Sequence, residues 1–325
     1  MIAYLLRRLL WAIPILLGVN LLLFALFFIV NTPEDMARAH LGVKRVSAES
    51  IARWKSERGY DKPLFINTAA QGSKRLTDTI FFDKSVRMFA LDFGQSDEGR
   101  NINHELGTRM WPSLALAVPS FLLGLAIAIS VALLLALARY TAFDALTTVA
   151  CVVMMSISGL FYIIAGQFIF SKLLAWVPIS GYQPGLDAVR FLILPVVIGV
   201  MAGIGSSVRW YRAIFLEEMG KDYVRTARAK GLSELRVLFG HVLKNGMIPI
   251  LTGVVVVIPT LFLGSLISES FFGIPGLGSF TIDAIQSQDF AIVRAMVFIG
   301  ALLYIVGLIL TDISYTLVDP RVRLQ

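Results

Sequence analysis

Six long apolar stretches limit what this chain can fold into. They cover about 9–30, 112–138, 146–170, 191–210, 249–272 and 291–313. An α-helix needs roughly 20 apolar residues to cross a hydrocarbon core of about 30 Å, and these runs are of that order. Glycine and proline recur inside them, which membrane helices tolerate better than soluble ones do. Of the 325 residues 57% are hydrophobic and 16% charged, where a soluble domain carries about 25% charged residues. One soluble core cannot hide that much apolar surface. The expected fold is all-α: a polytopic membrane protein with six transmembrane helices, a large external loop after the first and a cytoplasmic loop between the fourth and fifth.

The chain begins with a short basic segment and then the run from Leu9 to Val30. That run is too long for the core of a signal peptide, and no Ala-x-Ala site follows it, so a retained first helix is expected. Basic residues in the short loops set the orientation. Arg7 and Arg8 precede the first span and Arg139 follows the second. Arg212, Lys221, Arg225, Arg228, Lys230, Arg236 and Lys244 lie around the fourth connection, and Arg321 and Arg323 close the chain. The alternate side has Arg190 in one short loop and no lysine or arginine in 273–290. Both termini are therefore expected in the cytoplasm.

The chain divides into 1–30, the tail and first helix; 31–111, an external subdomain; and 112–325, a five-helix core containing the cytoplasmic loop 216–248. The external segment is basic too, but loops beyond about 60 residues translocate largely regardless of charge. Its scattered aromatics favour a small, partly helical subdomain over disorder. Ser47 to Arg58 is expected as a helix capped by Ser47 and stopped at Gly59.

What the spans lack excludes several functions. Glu269 lies near the outer end of the fifth and Asp312 near the inner end of the sixth, while Arg209 and Arg294 sit at span edges. An ion-coupled transporter needs a titratable or coordinating group in mid-membrane, and none is there. His40, His104 and His241 all fall outside the spans, which disfavours a metal site or a nucleophile–histidine pair in the bilayer. Cys151 is the one cysteine, so no internal disulfide exists. No G-x-x-x-x-G-K-[ST] loop occurs, so the chain binds no nucleotide by that motif. The net charge of +7 is explained by cytoplasmic loops, and no basic-aromatic module points to nucleic acid. Small, mildly polar residues do occur in the spans. Ser156, Ser158, Gly159, Thr260 and Gly264 are candidates to line a pathway, with close helix packing as the alternative.

The stretch Asp222 to Pro249 is the longest basic segment between two spans in the second half of the chain. Glu217 to Lys230 is expected as a helix, Gly231 as its stop and Ser233 as the cap of a second helix running to about Lys244. Lys221, Arg225 and Arg228 share one face, and Tyr223, Ala227 and Lys230 another. Such a helix could lie on anionic lipid or dock in a cleft of a partner. The smaller face suits close docking, with the basic one partly serving lipid phosphates.

This stretch resembles the signature loop of permease subunits of bacterial ABC importers, in the oligopeptide/dipeptide/nickel branch. The matching residues are Asp222, Tyr223, Val224, Arg225, Thr226, Ala227, Arg228, Ala229, Lys230, Gly231, Leu232, Ser233 and Glu234, with His241, Asn245 and Pro249. The glutamate of the general permease motif E-A-A-x-x-x-G is absent, as is usual in that branch. The chain's start is also similar to the family's, as is Leu91-Asp92-Phe93-Gly94-Gln95-Ser96, followed by Arg109 and Pro112-Ser113-Leu114. Phe272-Gly273-Ile274-Pro275-Gly276-Leu277-Gly278 and Asp319-Pro320-Arg321 match further family features. Between about Ile66 and Ala90 the chain departs from the common pattern, as if its external segment were longer.

The resemblance implies a multi-pass protein of the bacterial inner membrane, with no cofactor and no ATPase site of its own. It implies partners: a second permease subunit, two ABC ATPase subunits and a periplasmic substrate-binding protein. Coupling would run through Asp222 to Glu234. The cargo would be peptides, although relatives also carry nickel chelates, opines and oligosaccharides. The competing expectations are a pore or scaffold without energy coupling, and a membrane enzyme.

Overall fold

A computed structural model of the chain describes residues 2–42 and 47–318. The Asp319-Pro320-Arg321 ending and Arg323 lie outside the described residues. Among those described, the regular structure is helical, apart from one antiparallel bridge between Gln95 and Asn101.

α1 (Ile2–Phe24) continues as a π-helical segment (Ala25–Val30). α2 (Pro33–Leu41), α3 (Ala48–Glu57), α4 (Lys74–Thr77) and α5 (Ile80–Lys84) follow, then a 3-10 turn, Val86–Ala90. Next come α6 (Ile102–Leu137), α7 (Ala142–Ser156) and α8 (Gly159–Gly166), which a π segment (Gln167–Leu173) extends. α9 (Ala188–Met219), α10 (Asp222–Ala229) and α11 (Glu234–Val237) lead through a π turn (Leu238–Val242) into α12 (Leu243–Val257) and a 3-10 turn (Ile258–Leu263). α13 (Leu266–Phe272), α14 (Leu277–Gln286) and α15 (Phe290–Val318) complete the order.

Among the described residues, five helical stretches are long and apolar enough to cross a bilayer: Arg7–Val30, Ile102–Leu137, Gly185–Met219, Glu234–Leu263 and Phe290–Ser314. A bent pair, Ala142–Ser156 with Gly159–Leu173, folded by 91°, passes the same test together and brings the number to six when counted as one span. The helices overrun the apolar stretches. At 36 residues Ile102–Leu137 is about 54 Å long, so part of it projects beyond the hydrocarbon core. Two expected boundaries change. The fifth span does not open at Pro249; its helical path begins at Glu234, with Pro249 inside α12. Nor does it reach residue 272, because it stops at Leu263 and α13 is a separate helix. Hydropathy runs on across these breaks, which are backbone events.

The described residues form two compact units: those from Ile2 to Met110 with 280–309, and 111–279 with 310–318. In the first, the segment after the first span is built on aromatic packing. Phe24 stacks on Phe28 at 5.0 Å and meets Phe81 edge-on at 5.0 Å, while Trp54 and Tyr60 are buried beside Met36, Ala37, Ile51 and Ile80. α3 forms as expected: Ser47 Oγ accepts the Ser50 amide at 3.1 Å, and Gly59 takes a left-handed φ of 68°. α2 carries a reciprocal cap between Thr32 and Asp35.

In the second unit, α7 and α9 form the most extensive helix pair. Small residues let them approach: a Cβ on Gly205 would stand 2.6 Å from the Cys151 carbonyl oxygen. Arg212 on α9 clamps Asp144 in the first turn of α7 through two hydrogen bonds of 2.9 and 2.7 Å. Ala128, Ala132, Ala136, Tyr211 and Phe215 extend this core.

Gly205→Ala is expected to cost about 1–3 kcal/mol through overpacking. Gly203→Ala, whose Cβ would meet nothing within 4 Å, is expected to be near neutral. Thermal unfolding of the purified chain in detergent compares the two, and equal melting temperatures would contradict the packing account.

Candidate functional site

The basic loop is two helical pieces seated on the second unit's core. α9 ends at Met219, and Lys221 is extended with φ −77° and ψ 153°. Glu217 and Glu218 therefore belong to α9, and the single helix expected from 217 to 230 is broken at Gly220. The break has a lock. Glu218, nearly buried, accepts hydrogen bonds from Lys221 Nζ at 2.5 Å and Tyr223 Oη at 2.6 Å. Burial, and then the Glu218 carboxylate, push the Tyr223 phenol up to about 12.

α10 is amphipathic. Val224 and Ala227 are buried against Phe215, Val237, Leu238 and Val242. Asp222, Arg225, Thr226, Arg228, Ala229 and Lys230 face outward. The small face expected to meet a partner is thus occupied by the chain's own core: Ala227 is 4% exposed and Tyr223 is tied to Glu218. The free surface combines the basic residues with Thr226 and Ala229. Gly231 turns the chain at φ 76°, a conformation costly for residues with a Cβ. Leu232 tucks back onto the core, and Ser233 occupies the cap position of α11 without a side-chain cap bond. Arg228 and Glu234 close the turn through two bonds of 2.9 and 3.1 Å. α11 is not a separate helix ending near Lys244, since it passes through the π turn into α12.

The five pathway candidates fall at the two places where spans are broken. Ser156 ends α7, Ile157 and Ser158 are extended, and Gly159 opens α8. Ser156 Oγ donates to the Val152 carbonyl at 2.9 Å, and Ser158 and Gly159 are exposed. Tyr162 Oη donates to the Met154 carbonyl at 2.9 Å, reinforcing an acceptor at the break that also takes the Ile157 amide at 3.4 Å. Thr260 lies in the 3-10 turn, its hydroxyl bonded to the Val257 carbonyl at 2.7 Å. Gly264 ends that turn at φ 71°, and a Cβ there would overlap Glu269 Oε1 and Ser113 Oγ. Gly264 is a backbone close-approach position rather than an open lining residue.

That contact leads to a buried carboxylate that takes three backbone amides and a serine hydroxyl. Glu269, fully buried on α13, accepts the Ser265 amide at 3.0 Å, the Gly278 amide at 2.7 Å and the Ser279 amide at 3.1 Å. Ser113 also donates to it while accepting the Leu277 amide at 2.8 Å. Gly276 packs against the same carboxylate, where a side chain would overlap it. Two short sequence features far apart in the chain, around Ser113 and around 272–278, thus converge on one anionic group.

Two family models match this chain. The description "binding-protein-dependent transport system inner membrane component" applies over residues 109–324, and its N-terminal counterpart over 1–87. The chain belongs to this family. The permease is 33% identical over 328 residues to a putative peptide transport system permease protein of Brucella abortus, covering 99% of each chain. It is 31% identical over 331 residues to the oligopeptide transport system permease protein AppB of Bacillus subtilis, covering 99% of this chain and 100% of AppB. It is 30% identical over 351 residues to the dipeptide transport system permease protein DppB of Escherichia coli, with 99% of each covered. Most of the stretch 66–90, taken from sequence as a departure from the family, falls within the matched N-terminal region.

Sequence reasoning noted Glu269 only as a group near a span end and Arg212 only as one of the basic residues that set orientation, and it did not name Asp144. The available signal for Glu269 was an acidic residue inside an apolar run, three residues ahead of a glycine-rich turn. In the permease, Glu269→Gln replaces an oxygen acceptor with an amide donor and leaves at least one backbone N–H unpaired. The expected loss is about 1–3 kcal/mol. Faster hydrogen exchange at Gly278 and Ser279 would localise it, and unchanged exchange there would remove the anchoring role.

Proposed function

We propose that the permease, a subunit of an ABC importer, passes short peptides from a periplasmic binding protein into the cytoplasm by alternating access. Peptide cargo is supported by the likeness to peptide, oligopeptide and dipeptide transport permeases, 30–33% identical over nearly their full length. Work enters from two partner ATPases, and a second permease subunit completes the pore. Both termini and the α10 loop face the cytoplasm, and 31–111 faces outward, as the distribution of lysine and arginine supports.

The carrying observation is the seat of α10. Its outer face is free, while Val224 and Ala227 are packed against Phe215 of α9 and against Val237, Leu238 and Val242 leading into α12. A push on the free face therefore reaches two spans at once through a close-packed core. The Arg228–Glu234 clamp and the Glu218 lock keep the piece rigid, so displacement is transmitted instead of absorbed. The breaks at 157–158 and at Gly264 allow half-spans to tilt separately and expose backbone to a cavity, the one setting in which irregular backbone is tolerated at membrane depth. Ser156, Ser158, Gly159 and Thr260 lie at these breaks, where small polar groups pass cargo without holding it tightly.

Gly231→Trp, and charge reversal at Arg225 and Arg228, should leave the subunit inserted and ATP hydrolysis active but abolish coupled uptake. Normal uptake of a labelled peptide by these variants would refute the docking role. For orientation, a cysteine placed at Ser73 should react with an impermeant thiol reagent added from outside. Labelling only after the cytoplasmic face is opened would reverse the topology.

A further inference from the structure

The first unit holds a cavity of about 330 Å³ that transport through the second unit does not use. Its walls carry Arg58, Lys62, Lys84, Arg87 and Arg294. Two acids also line it, but both are engaged. Asp83 holds Lys62 at 2.7 Å and Arg87 at 3.5 Å, and Asp92 lies 3.9 Å from Arg87.

Two of the cations lack such a partner. Arg294 is 5% exposed, at the start of the last span. Its Nε donates to the Phe290 carbonyl at 3.2 Å and its guanidinium stacks 4.6 Å over Phe28. Its Nη1 is buried with no hydrogen-bond partner, and no carboxylate stands within ion-pair distance among the described residues. Lys84 has, among the described residues, only the Tyr60 ring, at 5.1 Å. Burial, and next the charge of Arg294, push the Lys84 ammonium down to about 8, as expected for cations crowded without an anion.

The acids behind the wall do not make up the difference. Asp289 spends its oxygens on the amides of Asp97 and Ile292, at 3.0 and 3.2 Å. Asp97 is held above the usual carboxylate range by burial and then by Asp289. A buried arginine N–H and a buried ammonium left unpaired are costly, and a multidentate oxyanion satisfies both at once.

We propose that this cavity binds a phosphate group, held by Arg294, Lys84 and Arg87. An anionic phospholipid headgroup and free inorganic phosphate both carry that chemistry. The surroundings favour the headgroup: Val86, Phe89 and Leu91, on the segment that carries Arg87, are exposed apolar residues. The site also lies at the ends of two spans, where headgroups sit.

The test uses the full-length protein in detergent, followed by native mass spectrometry. It is titrated with phosphatidylglycerol, with diacylglycerol of the same tails, and with inorganic phosphate. Phosphatidylglycerol is expected to bind, with Lys84→Met and Arg87→Gln each weakening it roughly fivefold. Asp83→Asn, which removes one of the two carboxylates that hold each of Lys62 and Arg87, should tighten binding, an effect of opposite sign that a merely structural role would not produce. Inorganic phosphate binding with the same dependence, while phosphatidylglycerol does not bind, identifies solution phosphate as the source and upholds the site. Equal retention of phosphatidylglycerol and diacylglycerol, unmoved by all three variants, would overturn it. Arg294→Gln extends the series; should it fail to insert, the half-exposed Arg87 still decides.

Discussion

Hydrocarbon offers no partner to a backbone N–H or C=O, and this constraint governs the whole structure. Helices meet it along most of the chain. Where helix is abandoned, the freed groups must be paired from inside the protein, and both breaks show how. The Met154 carbonyl takes the Ile157 amide and the Tyr162 hydroxyl where α7 stops. Past Gly264, the buried Glu269 carboxylate collects three backbone amides, and Ser113 takes a fourth. A carboxylate in an apolar run is expensive, so its placement at a break is informative. It organises the α13–α14 turn that a helix would otherwise have made unnecessary.

The same economy shapes the α10 loop. A helix of eight residues is marginal by itself. It is held by burying Val224 and Ala227 and by the Glu218 and Arg228–Glu234 contacts on either side. What it leaves outside is a rigid, small and basic surface. Rigidity matters for the proposed coupling, because a flexible loop would absorb a push that a packed one passes to α9 and α12. In the first unit the accounting differs: aromatic packing carries the fold, and a set of cations is left facing a cavity.

Much of this was legible in the residues. Six apolar runs, the Ser47 cap with its Gly59 stop, and the Gly231 turn follow from local rules of length, capping and φ preference, and each appears in the structure. The signature around Asp222–Glu234 and the turn around 272–278 were enough to suggest the family. These features depend on neighbours within a few residues, which a sequence displays directly.

The tertiary structure alone decided the rest. The apolar runs at 146–170 and 249–272 give no sign of interruption, since hydropathy counts side chains and breaks are made by backbone. Ser113 and Glu269 lie 156 positions apart and share no local pattern, yet one carboxylate joins them. Ala227 looked like a docking residue because it is small, and the fold instead buries it in one core with Phe215 and Val242. Sequence determines which groups the chain must hide from water or from lipid. Only packing decides which partner hides each of them, because that choice is made between residues distant in the chain.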